Sequence, residues 1–266
     1  NHGSATVAVT AAAGRLAPIS LEALNDTAEL LTRVDRKYLV PTEVAAAAVA
    51  GLPAGWLALE IDGCRTFRYR SVYFDTDQLD SYLGSARGRR RRFKVRTRTY
   101  VDAGVTMLEV KTVGGRGQTV KSRIAHGADE SVLDEDACRA VDLLSGRSGL
   151  GERLRPTLVT EYRRTTLVGP DDEVRLTLDE DLLCRVPGPS TRSDDRVGPV
   201  APVGFPGRVV LEVKSLGRPT SVDRWLWASG FRPMKLSKFG VGFGALHSDH
   251  PSNRWHRIIG SSNALV

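Results

Sequence analysis

The chain has 266 residues, of which 41% are hydrophobic and 26% charged, a composition typical of a globular protein with a sizeable core. Its 38 Lys and Arg oppose 31 Asp and Glu, and the resulting pI near 9.6 favours a polyanionic partner such as nucleotide, polyphosphate, nucleic acid or a membrane surface. Three scattered cysteines and the lack of any apolar run of about 18 residues argue against a disulfide framework and a transmembrane segment, and predict a cytoplasmic protein.

Hydrophobic periodicity predicts short helices interspersed with two series of strands. Helices are predicted at residues 18–31, 42–52, 129–144 and 221–229. Strands are predicted at residues 32–41, 64–73, 91–101, 105–113, 118–124, 157–168, 173–183 and 208–215. The stretch 186–207 is rich in Pro, Gly and Ser, which predicts a mobile surface loop.

No linker separates two hydrophobic cores in this pattern, so one domain is predicted over residues 18–246. Residues 1–17 are interpreted as a disordered, tag-like N-terminus, and residues 247–266 as a polar C-terminal tail.

Charged and apolar residues alternate along at least five predicted strands, so that each strand has a charged and an apolar face. In RFKVRTRTY, Lys94, Arg96 and Arg98 share one face opposite Phe93 and Val95. The copies TMLEVKTV and VVLEVKSL each place a Glu and a Lys on one face. A solvated sheet face would explain any one strand. Ranks of Arg and Lys on neighbouring strands are costly without an anion among them, so the whole pattern favours a cavity for a polyanion and its metal ion.

Curling of such a sheet would produce an α+β fold, a closed antiparallel β-barrel with the charged face lining a tunnel. The apolar face would then turn outward, and the predicted helices 18–31, 129–144 and 221–229 would cover it.

Eight motifs in order, RVDRKYLVP, SVYFDT, KVRTRTY, LEVKT, YRRTTL, VRLTLDEDL, LEVKS and KLSKF, resemble the VTC domain of vacuolar transporter chaperone polyphosphate polymerases, within the triphosphate tunnel (CYTH-like) metalloenzymes. The resemblance covers residues 30 to 246. It implies an enzyme with a triphosphate tunnel, which uses Mn²⁺ or Mg²⁺ to transfer the terminal phosphoryl group of ATP onto polyphosphate. The related CYTH branch begins with ExExK, where this chain has Arg33, Asp35 and Lys37, and this difference favours the polymerase-like branch.

The resemblance also implies roles for individual residues. Catalytic phosphate contacts are implied for Lys37, Arg96, Arg98, Lys111, Arg164, Arg175 and Lys238. Substrate contacts are implied for Tyr162 and Ser237, and Lys94 and Lys214 join them because they lie on the same strand faces. Glu212 is implied to bind the metal ion, with Glu109 or Asp179 as a second carboxylate.

Other functions stay open at this point. The same tunnel would act as an inorganic triphosphatase or polyphosphatase if water replaced the acceptor phosphate. A non-catalytic polyphosphate- or RNA-binding module is a third alternative, although Glu212 would repel a polyanion in the absence of a metal ion and few aromatic residues are available for stacking. No DNA partner is expected, and the oligomeric state is undetermined.

Two further segments receive ordinary interpretations. The run GRRRRF at residues 88–93 is interpreted as a solvated basic turn or a nucleic-acid patch rather than as a catalytic element. The glycines of KFGVGFG are interpreted as packing or turn positions, because no βαβ unit surrounds them.

Overall fold

The structure is a computed structural model that describes residues 2–26, 34–114, 117–127, 129–170, 174–188, 200–252, 254–260 and 263–264. In chain order its elements are α1 (His2–Ala13), β1 (Ala17–Ile19), α2 (Leu21–Asp26), β2 (Val34–Pro41), α3 (Thr42–Ala50), β3 (Leu57–Leu59), β4 (Thr66–Asp75), α4 (Asp80–Ala86), β5 (Arg92–Tyr100), β6 (Val105–Val113), β7 (Thr119–Ala125), α5 (Glu135–Ser145), α6 (Leu150–Arg153), β8 (Arg155–Val168), β9 (Val174–Arg185), β10 (Val203–Gly204), β11 (Arg208–Ser215), α7 (Ser221–Ala228), α8 (Lys238–Leu246), α9 (His256–Ile259) and β12 (Asn263–Ala264).

The chain forms two compact units, each assembled from three segments. The first unit comprises Asn1–Arg68, Tyr162–Leu182 and Phe205–Lys235. The second unit comprises Tyr69–Glu161, Leu183–Gly204 and Leu236–Val266. The sequence analysis treats residues 18–246 as one domain, whereas the structure divides this stretch between the two units.

In the first unit, β11 is central and pairs antiparallel with β2 along one edge and with β9 along the other. One face of these strands is apolar and is built from Tyr38, Val40, Leu176, Leu178, Leu211 and Val213. Helices α1, α3 and α7 cover this face, and all six strand side chains are fully or almost fully buried. The predicted cover by the helix at 221–229 is therefore confirmed, since Val222 and Leu226 of α7 belong to the core.

In the second unit, β4, β5, β6 and β7 form an antiparallel series of neighbouring strands. Along β5 the buried residues Phe93, Val95 and Thr97 alternate with partly exposed ones, as the period-two pattern predicts. Ala137 and Val141 of α5 pack on the apolar face of this sheet. The helix predicted at 129–144 therefore covers the sheet, as expected.

The α+β class, with a largely antiparallel sheet and covering helices, is confirmed, but the closed barrel is not. The pairing order is β12-β10-β9-β8-β4-β5-β6-β7, with side branches through β1, β2, β3 and β11. Closure requires the two end strands to find partners for their outer edges. Among the described residues β7 pairs with β6 alone, and most of its side chains are exposed.

Both termini carry more structure than the sequence analysis predicts. Where a disordered N-terminus is expected, the structure has α1, whose Val9 and Ala13 are fully buried against the first-unit core. The C-terminal tail contains α9 and the buried Trp255, which packs on the ring of Tyr82. The small Ala side chains of α1 allow this helix to pack closely, and this explains how a helix without an amphipathic pattern becomes part of the core.

Three other predictions need qualification. The helix predicted at 18–31 is shorter, because β1 ends at residue 19 and α2 follows at Leu21–Asp26, with residues 27–31 outside the described residues. Half of the predicted loop at 186–207, residues 189–199, likewise lies outside the described residues. No helix in the described part of the chain combines the length and the hydropathy needed to cross a bilayer.

The glycines of α8 serve packing, which the sequence analysis gives as one of two interpretations. A Cβ added to Gly240 would lie 2.2 Å from the indole of Trp255, and one added to Gly242 would lie 2.7 Å from Cys184 Sγ. Helix α8 therefore approaches its neighbours more closely than any side chain would permit.

We expect Gly240→Ala to lower the free energy of unfolding by about 2 kcal/mol, because the methyl group would displace Trp255 from a packed core. Gly127→Ala is the matched control, since Gly127 has open space around its Cα, and its effect should stay within about 0.5 kcal/mol. Urea denaturation of both variants tests this, and equal losses would contradict the packing role.

Asp75 joins the end of β4 to the start of α4 from a fully buried position. Its carboxylate accepts hydrogen bonds of 2.8 Å from the backbone N–H groups of Thr76, Ser81 and Tyr82. Burial raises the pKa of Asp75 from 3.8 to about 6, and the three hydrogen bonds only partly oppose this rise.

Because the folded state holds the Asp75 proton more tightly than the unfolded state, its contribution to stability is complete below pH 3.8 and is lost as the pH rises through about 6. We expect the difference in unfolding free energy between wild type and Asp75→Asn to fall by about 3 kcal/mol over this interval. Denaturation curves across the interval measure this difference, and a constant value would contradict the assignment.

Candidate functional site

The first-unit charged face is the side of β2, β11 and β9 opposite the apolar core. The register of the strands places Lys37, Glu212 and Thr177 in one row across the sheet. The next row consists of Asp35, Lys214 and Arg175. Side chains in register on adjacent strands point to the same face, so four of the sequence-predicted site residues meet here.

Glu212 is the centre of this face. Its carboxylate lies 2.7 Å from Lys214 Nζ and 3.5 Å from Lys37 Nζ, with only 12% of the side chain exposed. Burial on its own would raise the pKa of Glu212, but the charges of Lys37, Lys214 and Arg164 outweigh burial and hold the pKa well below its usual range. Glu212 is therefore an ionised carboxylate at neutral pH.

Asp179 belongs to the same face but is engaged by Arg164. Arg164 Nε and Nη2 donate to the two carboxylate oxygens at 2.6 and 2.8 Å, in the bidentate geometry that guanidinium groups favour. The Arg164 guanidinium also lies 5.4 Å from the ring centroid of the buried Tyr162. Arg175 donates to the carbonyl of Leu24 at 2.9 Å, which ties this end of the face to α2.

The second-unit charged face is the side of β5, β6 and β7 opposite the apolar core. In one row Lys94, Lys111 and Lys121 stand directly opposite one another on three adjacent strands. In the next row Glu109 lies between Arg96 and Arg123. Like charges that face each other across strands are destabilising, so the lysine row carries a cost that an anion would remove.

Glu109 lies among four cations and is only 3% exposed. Its oxygens lie 2.5 Å from Arg96, 2.9 Å from Lys121, 3.5 Å from Arg123 and 3.6 Å from Arg98. Burial alone would raise the pKa of Glu109, but Arg96, Arg98 and Lys121 outweigh burial and lower it strongly. Glu109 therefore holds the guanidinium groups in place as a permanent anion.

Helix α8 begins beside the same face. Lys94 Nζ donates to the hydroxyl of Ser237 at 2.7 Å, and this hydroxyl also accepts the backbone N–H of Gly240 as the N-cap of the helix. Lys238 is the first residue of α8. Arg96 Nη1 donates to the hydroxyl of Tyr73 at 2.8 Å. Packing thus brings Ser237, and with it the neighbouring Lys238, to the basic strands.

The predicted site residues fall into two groups, one in each unit. The first-unit group contains Lys37, Tyr162, Arg164, Arg175, Asp179, Glu212 and Lys214, and the second-unit group contains Lys94, Arg96, Arg98, Glu109, Lys111, Ser237 and Lys238. Lys121, Arg123 and Tyr73 also lie on or beside these faces and were not predicted from the sequence. The alternation in TVKSRIA could have identified Lys121 and Arg123, because both share the parity of a charged face.

Burial decides between an enclosed charged face and a solvated one. The exposed fractions of the side chains are 13% for Lys214, 14% for Arg164, 19% for Arg96 and 8% for Arg98. A solvated sheet face would leave such long cations in water. Desolvating an ion costs several kcal/mol, and each of these four cations is paired with a carboxylate of its own face, while Lys121 and Arg123 on β7 are 38% and 49% exposed.

The carboxylates differ in how well they fit a metal ion. No group of three or more His, Cys, Asp or Glu that could hold a metal is present in the described residues. Mg²⁺ and Mn²⁺ are often bound through one or two carboxylates together with phosphate oxygens, which requires no such group. Both oxygens of Asp179 bind Arg164, and the cations around Glu109 would repel a metal ion.

Glu212 is the carboxylate that fits a metal ion best. It is ionised, and it lies in register with Thr177, whose buried hydroxyl has no hydrogen-bond partner among the described residues. An unsatisfied buried hydroxyl next to a carboxylate is an available oxygen ligand or phosphate donor.

Comparison with solved structures finds distant likenesses. HpAC1 from Hippeastrum, a candidate adenylyl cyclase for which a dominant triphosphatase activity is reported, is 15% identical with a TM-score of 0.48, over 80% of this chain and 95% of its own. The PH1012 protein from Pyrococcus horikoshii OT3 is 14% identical, with a TM-score of 0.38, and a conserved hypothetical protein from Pyrococcus furiosus is 11% identical, with a TM-score of 0.37. Both of these cover 75% of this chain and 88% of their own.

The TM-scores are too low for any of these structures to support an argument about this chain, and no curated protein matches it. A family model described as the VTC domain, in contrast, matches residues 32–247. This range contains both charged faces in full, and it is well over half of the chain. The protein therefore belongs to the VTC domain family.

Proposed function

We propose that the protein is a polyphosphate polymerase that transfers the terminal phosphoryl group of ATP onto a growing polyphosphate chain. The row of Lys94, Lys111 and Lys121 carries this proposal, because three lysines in register on adjacent strands repel one another and Glu109, which pairs with Lys121, is shared with three arginines. On the second-unit charged face as a whole, seven cations on β5, β6 and β7 oppose the single carboxylate of Glu109. Membership of the VTC domain family supports the same function.

The charged faces suit phosphoryl transfer because this reaction needs positioning and charge neutralisation more than covalent help. Arginines such as Arg96, Arg98 and Arg164 offer paired donors that match phosphate oxygens, while Lys37, Lys111 and Lys238 supply mobile point charges. The carboxylates hold these cations in fixed positions before the substrate arrives, so little reorganisation is needed in the transition state.

The state of the carboxylates favours transfer to a phosphate over hydrolysis. Glu109 and Glu212 both have lowered pKa values, which makes them weak general bases for activating water. Asp179 accepts two hydrogen bonds from Arg164. An ionised phosphate at the end of a polyphosphate chain needs no deprotonation before it attacks ATP, so transfer to it does not require these carboxylates to act as bases.

Glu212, with Thr177 beside it, would hold the Mn²⁺ or Mg²⁺ ion. A bound divalent ion supplies charge neutralisation on the phosphate oxygens and helps to align the reacting groups. We propose Glu109 and Asp179 as anchors of the arginines and not as further metal ligands, since four cations surround Glu109 and Arg164 binds both oxygens of Asp179. Glu212 has two lysine partners, of which Lys37 lies 3.5 Å away, and it lies in register with the unsatisfied hydroxyl of Thr177.

Incubation of the protein with ATP and Mn²⁺ tests the polymerase directly. We expect long-chain polyphosphate on gels, and we expect Glu212→Gln to lower kcat on the order of 100-fold because the metal loses its carboxylate. Glu135→Gln is the control, since the side chain of Glu135 is 93% exposed, and it should leave the activity unchanged. Release of free phosphate alone would replace the polymerase by a triphosphatase, and binding without turnover would indicate a non-catalytic module.

The variant Glu109→Gln tests whether Glu109 anchors the surrounding cations or binds the metal ion. Loss of this charge leaves four cations without their common partner, so we expect the free energy of unfolding to fall by about 3 kcal/mol. Added polyphosphate should raise the Tm of this variant more than that of the wild type, because the anion replaces the missing carboxylate. The Mn²⁺ concentration for half-maximal activity should not change, and an increase in this concentration would instead make Glu109 a metal ligand.

A further inference from the structure

Five arginines surround Gly88 in the segment 87–92, which we call the arginine turn. Arg87, Arg89, Arg90 and Arg91 are exposed, and Arg92 is half-buried as the first residue of β5. The guanidinium group of Arg254 lies beside the turn, 3.5 Å from the position that a Cβ on Gly88 would take. Six guanidinium groups therefore belong to one small surface of the second unit.

The turn has a defined shape. Gly88 has a φ of 64°, a left-handed conformation that glycine adopts readily. A glycine in this conformation just after the C-cap terminates α4. The backbone N–H of Arg89 donates to the carbonyl of Gly84 at 2.9 Å, and Arg92 Nη1 donates to the carbonyl of Arg89 at 2.8 Å. Arg254 Nη1 donates to the carbonyl of Ser85 at 3.1 Å. These bonds fix the backbone of the turn and the guanidinium groups of Arg92 and Arg254.

The charge of the turn exceeds what the fold requires. One basic residue near the C-terminus of α4 is favourable for the helix dipole, and Arg87 at its C-cap fills this role. Among the described residues no carboxylate forms an ion pair with Arg89, Arg90 or Arg91. Adjacent exposed cations repel one another, so they are explained by an external anion better than by stability.

The turn also continues directly into the second-unit charged face. Arg92, Lys94, Arg96 and Arg98 share one side of β5, and alternate residues of a strand are about 6.6 Å apart. Their exposure falls along the strand, from the exposed Arg91 to 19% for Arg96 and 8% for Arg98. Cations thus form a continuous series that leads from solvent to the enclosed part of the face.

We infer that the arginine turn is an outer binding site for polyphosphate, which holds the part of the chain that extends beyond the second-unit charged face. The identity of this ligand rests on the proposed function. A polyanion without bases fits the turn better than RNA does, because RNA-binding surfaces present aromatic side chains for stacking. The aromatic residue next to the turn, Phe93, is buried and packs under Arg147.

The test compares two triple variants that lose the same charge. Arg89→Gln, Arg90→Gln and Arg91→Gln together remove the turn, while Arg139→Gln, Arg153→Gln and Arg155→Gln remove three exposed arginines elsewhere in the same unit. We expect the turn variant to bind long-chain polyphosphate about tenfold more weakly, with a salt dependence reduced by about 2 in the log–log slope. Tripolyphosphate, which is short enough to be held by the enclosed residues Arg96 and Arg98 alone, should lose less affinity than the long chain.

Arginine-to-lysine substitution at the three turn positions keeps the charge and should retain most of the affinity for long chains. Unchanged long-chain binding in the glutamine variant of the turn, or an equal loss in the control variant, would overturn the inference. A loss confined to single-stranded RNA would overturn it in favour of nucleic-acid binding. The measurement needs no turnover, so it stays decisive even if the wild type fails to make polyphosphate and the proposed function falls.

Discussion

Burial of opposite charges on strand faces is the constraint on which this protein depends. Glu109 and Glu212 each lie on a strand that is paired along both edges, and each lies among cations with little access to water. An isolated buried ion would cost several kcal/mol, so the carboxylates and the cations each need their oppositely charged partners in order to be buried. The carboxylates make the arginines and lysines tolerable, and the remaining positive charge is left for a ligand.

This arrangement explains how stability and function share the same residues. The apolar faces of both units are packed under helices and supply the hydrophobic stabilisation. The charged faces reduce stability, as the lysine row of Lys94, Lys111 and Lys121 illustrates. A polyanion would relieve this repulsion, and the resulting gain in stability on binding is a direct consequence of mass action.

The two charged faces differ in a way that suggests a division of labour. On the first-unit face, the three carboxylates of Asp35, Asp179 and Glu212 nearly balance four cations, and Thr177 leaves an unsatisfied hydroxyl. On the second-unit face the cations far exceed the single carboxylate. A nearly balanced face with a spare oxygen suits a metal ion and its triphosphate, whereas a strongly basic face suits a long polyanion.

The alternation of residues by itself determined most strands, the two faces of each strand and the placement of nearly all predicted site residues on the charged sides. Period-two patterns are local, because the geometry of one strand decides where its side chains point. The same alternation would have identified Lys121 and Arg123, which lie on the charged side of β7.

Only the tertiary structure decided the rest. Strand register brought three lysines into one row and set four cations around Glu109, and helix packing brought Ser237 to Lys94. The open order of the sheet and the burial of α1 also escaped prediction. These features depend on contacts between segments far apart in the chain, and the pattern within one segment carries no information about which distant segment will satisfy it.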